Sequence, residues 1–333
     1  MTPYLRVTFL AFSLLAHMQE TVLPVDILTA VGNDIPVIKP LFQALSDQDV
    51  FPQRIVVLLY AVKSYEDHQH YEKTMRAWLD PSLHQSLVIV SSFTSDHEQW
   101  NYHGYDRQFL LECAMSPWVF FIDSDNSFAP NFLRIMQHTY QDIADQYQRP
   151  CILSPSIYYA QTQTLQSQWI SSFFRWFPKY QYNTLTDQQY APVQMIGWNS
   201  LFGPTALFRT ISFDRRFAYC YEDVDYTFGL YRAWFPVIVL RDIHIFHHDT
   251  RQSPLQKRFL HTPQATRYRA RNRIIFAKKH AHGRASVAYF GLGFWLQTCL
   301  FVVLILYYKR RQPRTMLSLL TALVRGTRAG LRA

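Results

Sequence analysis

The sequence predicts an α/β fold with a mostly parallel central sheet flanked by helices. Between residues 25 and 156, short apolar runs rich in β-branched residues alternate with segments in which apolar residues recur at helical spacing. This alternation is typical of a parallel sheet covered by helices. Two further features distinguish the chain: the fourth apolar run ends in the acidic sequence "DSD", and a long uncharged stretch lies near the carboxyl end.

The expected elements follow one another in a regular order. The first strand is expected in "VDILTAV", and an amphipathic helix follows it. The next three strands are expected in "RIVVLLYAV", "SLVIVSS" and "WVFFID", and the nearly unbroken first of these runs is typical of a central strand. After the fourth strand, "APNFLRIMQHTYQDIADQYQ" predicts a helix with Pro130 in its first turn.

The pattern loosens in residues 157–200, which are rich in glutamine and aromatic residues. This composition fits either packing beneath a long loop or an acceptor groove or membrane-contacting rim. Regular structure is expected again in "FGPTALFR", in a helix from about Val224 to Trp234, and in two strands within "PVIVLR" and "IHIF".

The chain divides into one large domain and several terminal segments. Residues 25–250 are predicted to form the α/β domain. Residues 1–24 are predicted to form an apolar helix, because their apolar run is short and lacks the small-residue cleavage site of a signal peptide. Residues 251–284 are expected to form a basic linker or helix, residues 285–308 the uncharged helix, and residues 309–333 a basic amphipathic tail.

Charge is distributed unevenly along the chain. Of the 33 Lys and Arg residues, 17 lie from Thr250 onward, where there is no Asp or Glu. This basic segment indicates an anionic partner, and the uncharged run beside it indicates a phospholipid membrane rather than nucleic acid. That run either spans the bilayer or lies in its plane as a re-entrant helix, since basic residues flank both ends. The four scattered cysteines are typical of reduced cytosolic thiols.

Two acidic residues close the fourth expected strand. Asp123 and Asp125 follow "FFI", and residues i and i+2 of an extended chain point the same way. Ligands of open α/β sheets bind beyond the carboxyl ends of strands, and neighbouring carboxylates repel one another unless a cation or hydrogen bonds compensate them. Mg²⁺ or Mn²⁺ with oxygen ligands would resolve this repulsion. A helix-capping or turn-forming Asp-Ser-Asp-Asn is the alternative interpretation.

Two later segments carry further candidate groups. "AYCYEDVDYTFGLYRAW" opens an expected helix with Glu222, Asp223 and Asp225. Acids are favoured at a helix amino terminus, and one of them is also a candidate general base. "IHIFHHD" places three histidines at a strand end, where an imidazole beside a carboxylate-held cation suits a further ligand.

These segments, in this order, resemble the nucleotide-sugar glycosyltransferases of family 2, which have the GT-A fold. The resemblance depends on "FIDSDN", "LFRTISFDRRFAYCYEDVDYTFGLYRAW" and "HIFHHD". "RYRARNRIIFAKKH" and "LVRGTRAGLR" look like the carboxyl-terminal extension of rhamnosyltransferase-like members that build bacterial surface polysaccharide. The resemblance as a whole extends over residues 25–333, and the Glu-Asp helix with the preceding "FDRRF" is its most specific part.

The resemblance implies roles for the residues that match its motifs. Asp123 and Asp125 match the acids that hold the donor ribose and the metal bridging the donor diphosphate. Asp223, with Glu222 beside it, matches the position that deprotonates the acceptor hydroxyl in inverting members. His247, or the histidine after it, matches the histidine that completes the metal shell.

Other positions match less closely. Asn33 and Asp34 match the loop near the nucleobase, and Arg107 is expected near the diphosphate. Family members usually carry an Asp at the end of the second strand that contacts the nucleobase, whereas Tyr60 or Ala61 stands there in this chain. The resemblance therefore leaves the selectivity for the nucleobase open.

The implied function is inverting, metal-dependent transfer of a single sugar from a nucleotide-diphosphate donor to a lipid-linked or polysaccharide acceptor. The QxxRW signature of processive synthases is missing, which indicates addition of one sugar. The catalytic domain is expected on the cytoplasmic face of the inner (plasma) membrane, held by anionic lipids, in cell-envelope polysaccharide biosynthesis.

Two other functions compete with sugar transfer. A sugar-nucleotide-forming nucleotidyltransferase needs a Gly-rich basic loop for a triphosphate, whereas "TAVGNDIPVIK" has one Gly and one distant Lys. A membrane-bound scaffold or glycan-binding protein would keep the fold without turnover, and the departure at Tyr60 and Ala61 supports it. Metal-dependent sugar transfer or donor hydrolysis separates an enzyme from a binder, which shows neither.

Overall fold

The computed structural model describes residues 22–32, 34–60, 62, 64–91, 103–166, 168–172, 179–182, 189–197, 200–248 and 262–333. Within these ranges strands and helices alternate up to residue 248, and helices follow from residue 262.

The strands are β1 (Val22–Val31), β2 (Phe51–Leu59), β3 (Leu87–Ser91), β4 (Trp118–Ile122), β5 (Asn126–Phe128), β6 (Ile152–Tyr159), β7 (Gln168–Ser172), β8 (Lys179–Tyr182), β9 (Tyr190–Val193), β10 (Met195–Gly197), β11 (Ser200–Pro204) and β12 (Val237–His247). The α-helices are α1 (Lys39–Ser46), α2 (Tyr65–Arg76), α3 (His103–Cys113), α4 (Phe132–Tyr147), α5 (Thr205–Phe208), α6 (Glu222–Arg232), α7 (Pro263–His280), α8 (Arg284–Lys309) and α9 (Pro313–Arg332). Short 3₁₀ turns cover Ile35–Ile38 and Pro81–Leu83, and α8 contains a π-helical turn at Tyr289–Gly293.

The central sheet has the strand order β3-β2-β1-β4-β11-β6-β12-β5, and β9 also pairs with β12. Strands β3, β2, β1 and β4 are parallel to one another, as are β6 and β12. Strands β11, β5 and β9 run antiparallel to their neighbours, and β7, β8 and β10 form a separate small antiparallel sheet. The expected α/β fold with a mostly parallel central sheet is confirmed.

Helices cover both faces of the sheet, which is why its apolar runs are buried. Phe120 and Phe121 of β4 are both fully buried, although neighbouring residues of a strand point to opposite faces. Phe120 belongs to the cluster that includes α1 and α4, and Phe121 to the cluster that includes α3, α5 and α6. Residues 55–59 of β2 are at most 1% exposed, as expected of a central strand.

The structure begins its first strand before the expected start of the domain. Val22 already pairs with Phe51 in β1, three residues ahead of the boundary expected at residue 25. Residues 1–21 of the expected apolar helix lie outside the described ranges. Helix α6 starts at Glu222, two residues earlier than expected, so the acidic pair forms its first turn.

Two expectations about local structure were wrong. Helix α4 begins at Phe132, so Pro130 lies in the turn before the helix, where its fixed φ is equally well accommodated. The two strands expected in "PVIVLR" and "IHIF" form the single strand β12, with an irregular register between Leu240 and His244. The polar pair between the two apolar runs therefore marks a bulge rather than a loop.

Helices α7, α8 and α9 pack on one another after the domain. A Cβ on Gly326 of α9 would overlap the carbonyl oxygen of Arg267 on α7, and one on Gly330 would lie 2.7 Å from the carbonyl oxygen of Arg271. Glycine at both positions therefore lets the two helix backbones touch. Among the described helices, α8 is long and apolar enough to cross a membrane, by length and composition.

Candidate active site

The candidate site lies at the carboxyl ends of β1, β2 and β4. These strands are parallel neighbours, so Gly32, Tyr60 and Asp123 follow them at one edge of the sheet. Ligands of open α/β sheets bind at such an edge. The structure thus brings together the ends of three strands that are far apart in the sequence.

Asp123 is held by an arginine from α3. Nη2 of Arg107 donates a hydrogen bond to Oδ1 of Asp123. Burial lowers the pKa of Arg107 and the Asp123 carboxylate raises it, with a net upward shift, so the guanidinium stays charged. The buried Asn126 donates from Nδ2 to the carbonyl oxygen of Asp123 at 3.0 Å and fixes the turn between the two acids.

Asp125 faces a histidine at the end of β12. Nε2 of His247 lies 2.9 Å from Oδ2 of Asp125, and its Nδ1 lies 2.8 Å from Oε1 of Gln166. When Nδ1–H donates to that amide oxygen, a neutral imidazole turns the lone pair of Nε2 toward the carboxylate. This arrangement suits a protonated imidazole or a cation shared by the two groups.

The pair of Asp125 and His247 fits a divalent cation that has few protein ligands. Oδ2 and Nε2 lie 2.9 Å apart, and a carboxylate oxygen and an imidazole nitrogen are both ligands that divalent cations accept. Among the described residues, no group of three or more His, Cys, Asp or Glu side chains is arranged to hold a metal. Mg²⁺ commonly takes its remaining ligands from substrate phosphates and water.

His248 stabilises the same turn through its backbone, and its ring contacts Ser127. The backbone N–H of His248 donates to the carbonyl oxygen of Asp125 at 2.7 Å, and its Nε2 lies 2.8 Å from Oγ of Ser127. Burial lowers the pKa of His248 below its ordinary value. Of the two histidines that matched the family motif, His247 is the one whose ring meets Asp125.

Glu222 opens α6 as a buried acid. It is 8% exposed, and no hydrogen-bond partner among the described residues meets its Oε2. The pKa of Glu222 is raised to about 7, mainly by burial and also by Asp123 and Asp106, while a backbone hydrogen bond and Arg107 act to lower it. Glu222 therefore lies within electrostatic reach of the Arg107–Asp123 pair and is partly protonated near neutral pH.

Asp223 meets a different part of the structure. Its Oδ1 accepts a hydrogen bond from the backbone N–H of Val224 at 2.7 Å. Its Oδ2 would lie 3.4 Å from a Cβ on Gly197, the last residue of β10. This carboxylate oxygen therefore lies beside Gly197. The structure sets Asp223 on the β10 side of α6, whereas Glu222 lies near Arg107 and Asp123.

Tyr60 occupies the position after β2 where the resemblance expects an acid. The pKa of Tyr60 is raised to about 12, mainly by burial and also by Asp106, Asp123 and Asp125, while Arg107 acts to lower it. The phenol is therefore close to both acids that follow β4. A Cβ on Gly32 would lie 2.7 Å from the Tyr60 hydroxyl oxygen, so glycine at the end of β1 permits this approach.

The two residues expected near a nucleobase stay predictions. Asp34 is exposed and precedes the 3₁₀ turn Ile35–Ile38 without capping it through its side chain. Asn33 and Ala61 lie outside the described residues.

Two residues of the site carried no sequence signal that we recognised. Gln166 orients the ring of His247, although it lies in the polar region whose pattern predicts no regular structure. Asp106 is 6% exposed and acts on the pKa values of Tyr60, Arg107 and Glu222. The only hint in the sequence is its place beside Arg107, one residue earlier on the same helix.

Helix α7 braces the amino end of α6. Asp225, which is 2% exposed, lies 2.7 Å from both Nζ of Lys279 and Nε2 of His280. Nδ2 of Asn272 donates to two carbonyl groups in residues 218–220, at 2.7 and 2.8 Å. The segment "RYRARNRIIFAKKH" therefore holds the loop that leads into the acidic pair.

The chain is similar in structure to S. aureus TarS 1-349 in a crystal structure with UDP-GlcNAc. The TM-score is 0.52 at 14% sequence identity, and the similarity covers 90% of each chain. A crystal structure of S. aureus TarS gives a TM-score of 0.47 at 15% identity, covering 79% of this chain and 41% of that chain. The present chain thus spans less than half of that one. No protein-family model and no curated protein matches the sequence. What the chain shares with TarS 1-349 at this identity is the fold.

Proposed function

We propose that the protein transfers a single sugar from a nucleoside-diphosphate donor to an acceptor hydroxyl at a membrane, with inversion at the anomeric carbon. The observation that supports this best is the edge of the sheet where Arg107 with Asp123, Asp125 with His247, and Glu222 meet. The shared fold with TarS 1-349, whose crystal structure contains UDP-GlcNAc, supports a nucleotide sugar as the donor.

The donor side of the proposal uses the two paired acids. Asp125 and His247 would hold Mg²⁺ or Mn²⁺, which supplies electrostatic stabilisation of the departing diphosphate. Arg107 presents a charged guanidinium, a group that binds phosphate oxygens in pairs. Asp123 holds Arg107 in place and would accept a hydrogen bond from a hydroxyl group of the donor ribose.

The acceptor side of the proposal uses Asp223 as the general base. Val224 N–H fixes one carboxylate oxygen, and the other oxygen lies on the side of Gly197. An acceptor hydroxyl bound beside Asp223 would lose its proton to this carboxylate and attack the anomeric carbon from the face opposite the diphosphate. Glu222, buried beside Arg107 and Asp123, would adjust the charge around the leaving group.

The membrane side of the proposal uses the carboxyl-terminal helices. Helix α8 exposes large apolar side chains, among them Trp295, Val303 and Tyr307. A lipid-linked acceptor is reached most directly from the bilayer surface, and the basic tail would hold the domain over anionic headgroups on the cytoplasmic face. The rhamnosyltransferase-like extension supports a role in cell-envelope polysaccharide synthesis.

One observation favours a second candidate function. Tyr60 stands at the strand end where the resemblance expects a nucleobase-binding acid. A membrane-bound GT-A scaffold or glycan-binding protein without turnover would tolerate that change.

Release of nucleoside diphosphate from a panel of nucleotide sugars tests the proposal. Full-length protein is incubated with membrane extract as acceptor, with Mn²⁺, with Mg²⁺ or with a chelator. We expect metal-dependent release that falls by at least about 100-fold in Asp125→Ala and is retained in Asp142→Ala, which removes an exposed acid of α4. Nucleotide binding without release of the diphosphate would favour the glycan-binding or scaffold function. Release that persists in the presence of the chelator would contradict the proposed need for a metal.

A further inference from the structure

We propose that the cavity lined by three arginines of α7 and α9 binds the headgroups of anionic phospholipids. Arg267 of α7 and Arg314 and Arg325 of α9 line one cavity of about 610 Å³ between the two helices. The proposal builds on the membrane association proposed above, and it is independent of sugar transfer.

The register of the two helices and the spacing along α9 place the three arginines along one cavity. Gly326 lies against the carbonyl group of Arg267, and Gly330 against that of Arg271, so α7 and α9 run in the same direction. This contact places Arg325 next to Arg267. Arg314 lies about three turns nearer the amino end of α9, about 16 Å from Arg325 along the axis. The lining residues Arg314, Leu317, Ser318, Thr321 and Arg325 follow helical spacing and therefore share one face of the helix.

The three arginines have no acid to neutralise them within the described part of the chain. None of the ion pairs found there involves Arg267, Arg314 or Arg325. The sequence has no Asp or Glu from Thr250 onward, and all three side chains are exposed. Guanidinium groups around one cavity repel one another, and a phosphate that accepts paired hydrogen bonds from them would relieve this repulsion.

Apolar side chains beside the arginines favour a lipid over a soluble phosphate. Leu317 lines the same cavity, and Leu317 and Val324 of α9 are each 66% exposed. A second cavity of about 410 Å³, between α8 and α9, includes Val302, Leu320 and Leu323 in its lining. Helix α9 thus has a basic cavity on one flank and an apolar groove on the other, as in helices that lie in the bilayer interface.

Flotation of the full-length protein on vesicles tests the site. The vesicles contain phosphatidylcholine alone or phosphatidylcholine with phosphatidylglycerol. The site variant carries glutamine at the three arginines, and a control variant with the same loss of charge carries Arg284→Gln, Arg310→Gln and Arg311→Gln.

We expect the site variant to lose at least about tenfold more affinity for the anionic vesicles than the control variant does. Binding to phosphatidylcholine alone should be equal in the two variants, because a neutral bilayer offers no net charge. Equal losses on anionic vesicles would show that only total charge matters and would overturn the site.

Replacing the three arginines with lysine separates a built site from a charged surface and guards against misfolding of the glutamine variant. Lysine keeps the charge and loses the planar pair of N–H donors. We expect the lysine variant to keep the thermal unfolding profile of the wild type and to bind anionic vesicles about threefold or more weakly. Binding equal to the wild type would overturn the proposal.

Titration of the detergent-solubilised protein distinguishes the two sources of phosphate. The probes are inorganic phosphate, pyrophosphate and short-chain phosphatidylglycerol, each compared between wild type and the site variant. A difference confined to phosphatidylglycerol is expected. An equal difference in affinity between wild type and site variant for inorganic phosphate would assign the site to a soluble anion and would overturn the proposed binding of lipid. These experiments need no sugar donor, so failure of sugar transfer leaves their outcome intact.

Discussion

The edge of the central sheet and the carboxyl-terminal helices arrange their charges in opposite ways. At the sheet edge, Asp123 pairs with Arg107 and Asp125 with His247 inside the fold. On α9, Arg325 and the arginines near it have no acidic partner among the described residues. Internal pairs preorganise the first region, whereas the second leaves its charge available to a partner outside the chain.

This difference predicts which property each substitution changes. Changes at the sheet edge and at its brace should alter catalysis or the free energy of unfolding. Changes on the exposed face of α9 should alter membrane binding and leave unfolding nearly unchanged.

The largest effect is expected for Asp223→Asn. Loss of the general base should lower the rate of sugar transfer by about 10²–10⁴-fold, while nucleotide binding stays within a few-fold. Initial rates at saturating donor, with Asp142→Asn as the control, provide the measurement. If Glu222→Gln were inactive and Asp223→Asn retained a rate within tenfold of the wild type, the base would be Glu222.

The second largest effect is expected for the contact between α6 and α7, where a substitution should change the stability of the fold rather than the rate of sugar transfer. Asp225→Ala would leave the buried His280 without its carboxylate and Lys279 with Asp214 alone, and we expect the free energy of unfolding to fall by about 3 kcal/mol. Denaturant unfolding measures this, and the exposed Asp142→Ala should change it by less than about 0.5 kcal/mol. Equal values for the two variants would show that α7 does not stabilise α6.

Glu222 should make stability depend on pH. Burial raises the pKa of Glu222 from 4.5 to about 7, so between these values the folded protein holds a proton that the unfolded chain has lost. The free energy of unfolding should therefore fall as pH rises through this window, by at most about 1.4 kcal/mol per pH unit for this group. Glu222→Gln should remove that contribution. Parallel curves for wild type and Glu222→Gln between pH 4.5 and 7 would contradict the buried state of the acid.

The smallest effect is expected where α9 contacts α7. Gly326→Ala would push its Cβ into the carbonyl group of Arg267 and should cost about 1–3 kcal/mol of stability. Gly291→Ala on α8 is the matched control, because no atom lies within 4 Å of the new Cβ. Thermal unfolding in detergent compares the two. A Gly326→Ala protein as stable as Gly291→Ala would show that the helices can separate freely.

The parallel strands could be predicted because each is an apolar run that must be buried on both faces. Asp125 could be placed at a strand end for the same reason. Its partner His247 was expected from the family resemblance and not from local pattern, because the sequence separates Asp125 and His247 widely and the pairing of β12 with β5 brings them together. Pro130 was placed wrongly, since the fixed φ of proline suits both a first helical turn and the turn before it.

From the sequence, Tyr60 could be identified only as a residue at the position where the resemblance expects an acid. Its closeness to Asp123 depends on Gly32, which permits the phenol to approach the end of β1. Asp223 likewise lies beside Gly197, in a strand that the sequence pattern does not define. Local pattern therefore located the edge of the site, whereas packing between distant segments determined which groups meet there.

The central claim is that the sheet edge holds a nucleoside diphosphate together with a divalent cation. A calorimetric titration of the detergent-solubilised protein with a panel of nucleoside diphosphates, with and without Mn²⁺, tests it most directly. We predict binding that requires Mn²⁺ and disappears in Asp125→Ala but not in Asp142→Ala. Failure of the intact protein to bind any of these nucleotides, or binding that is indifferent to both Mn²⁺ and Asp125, would contradict the claim.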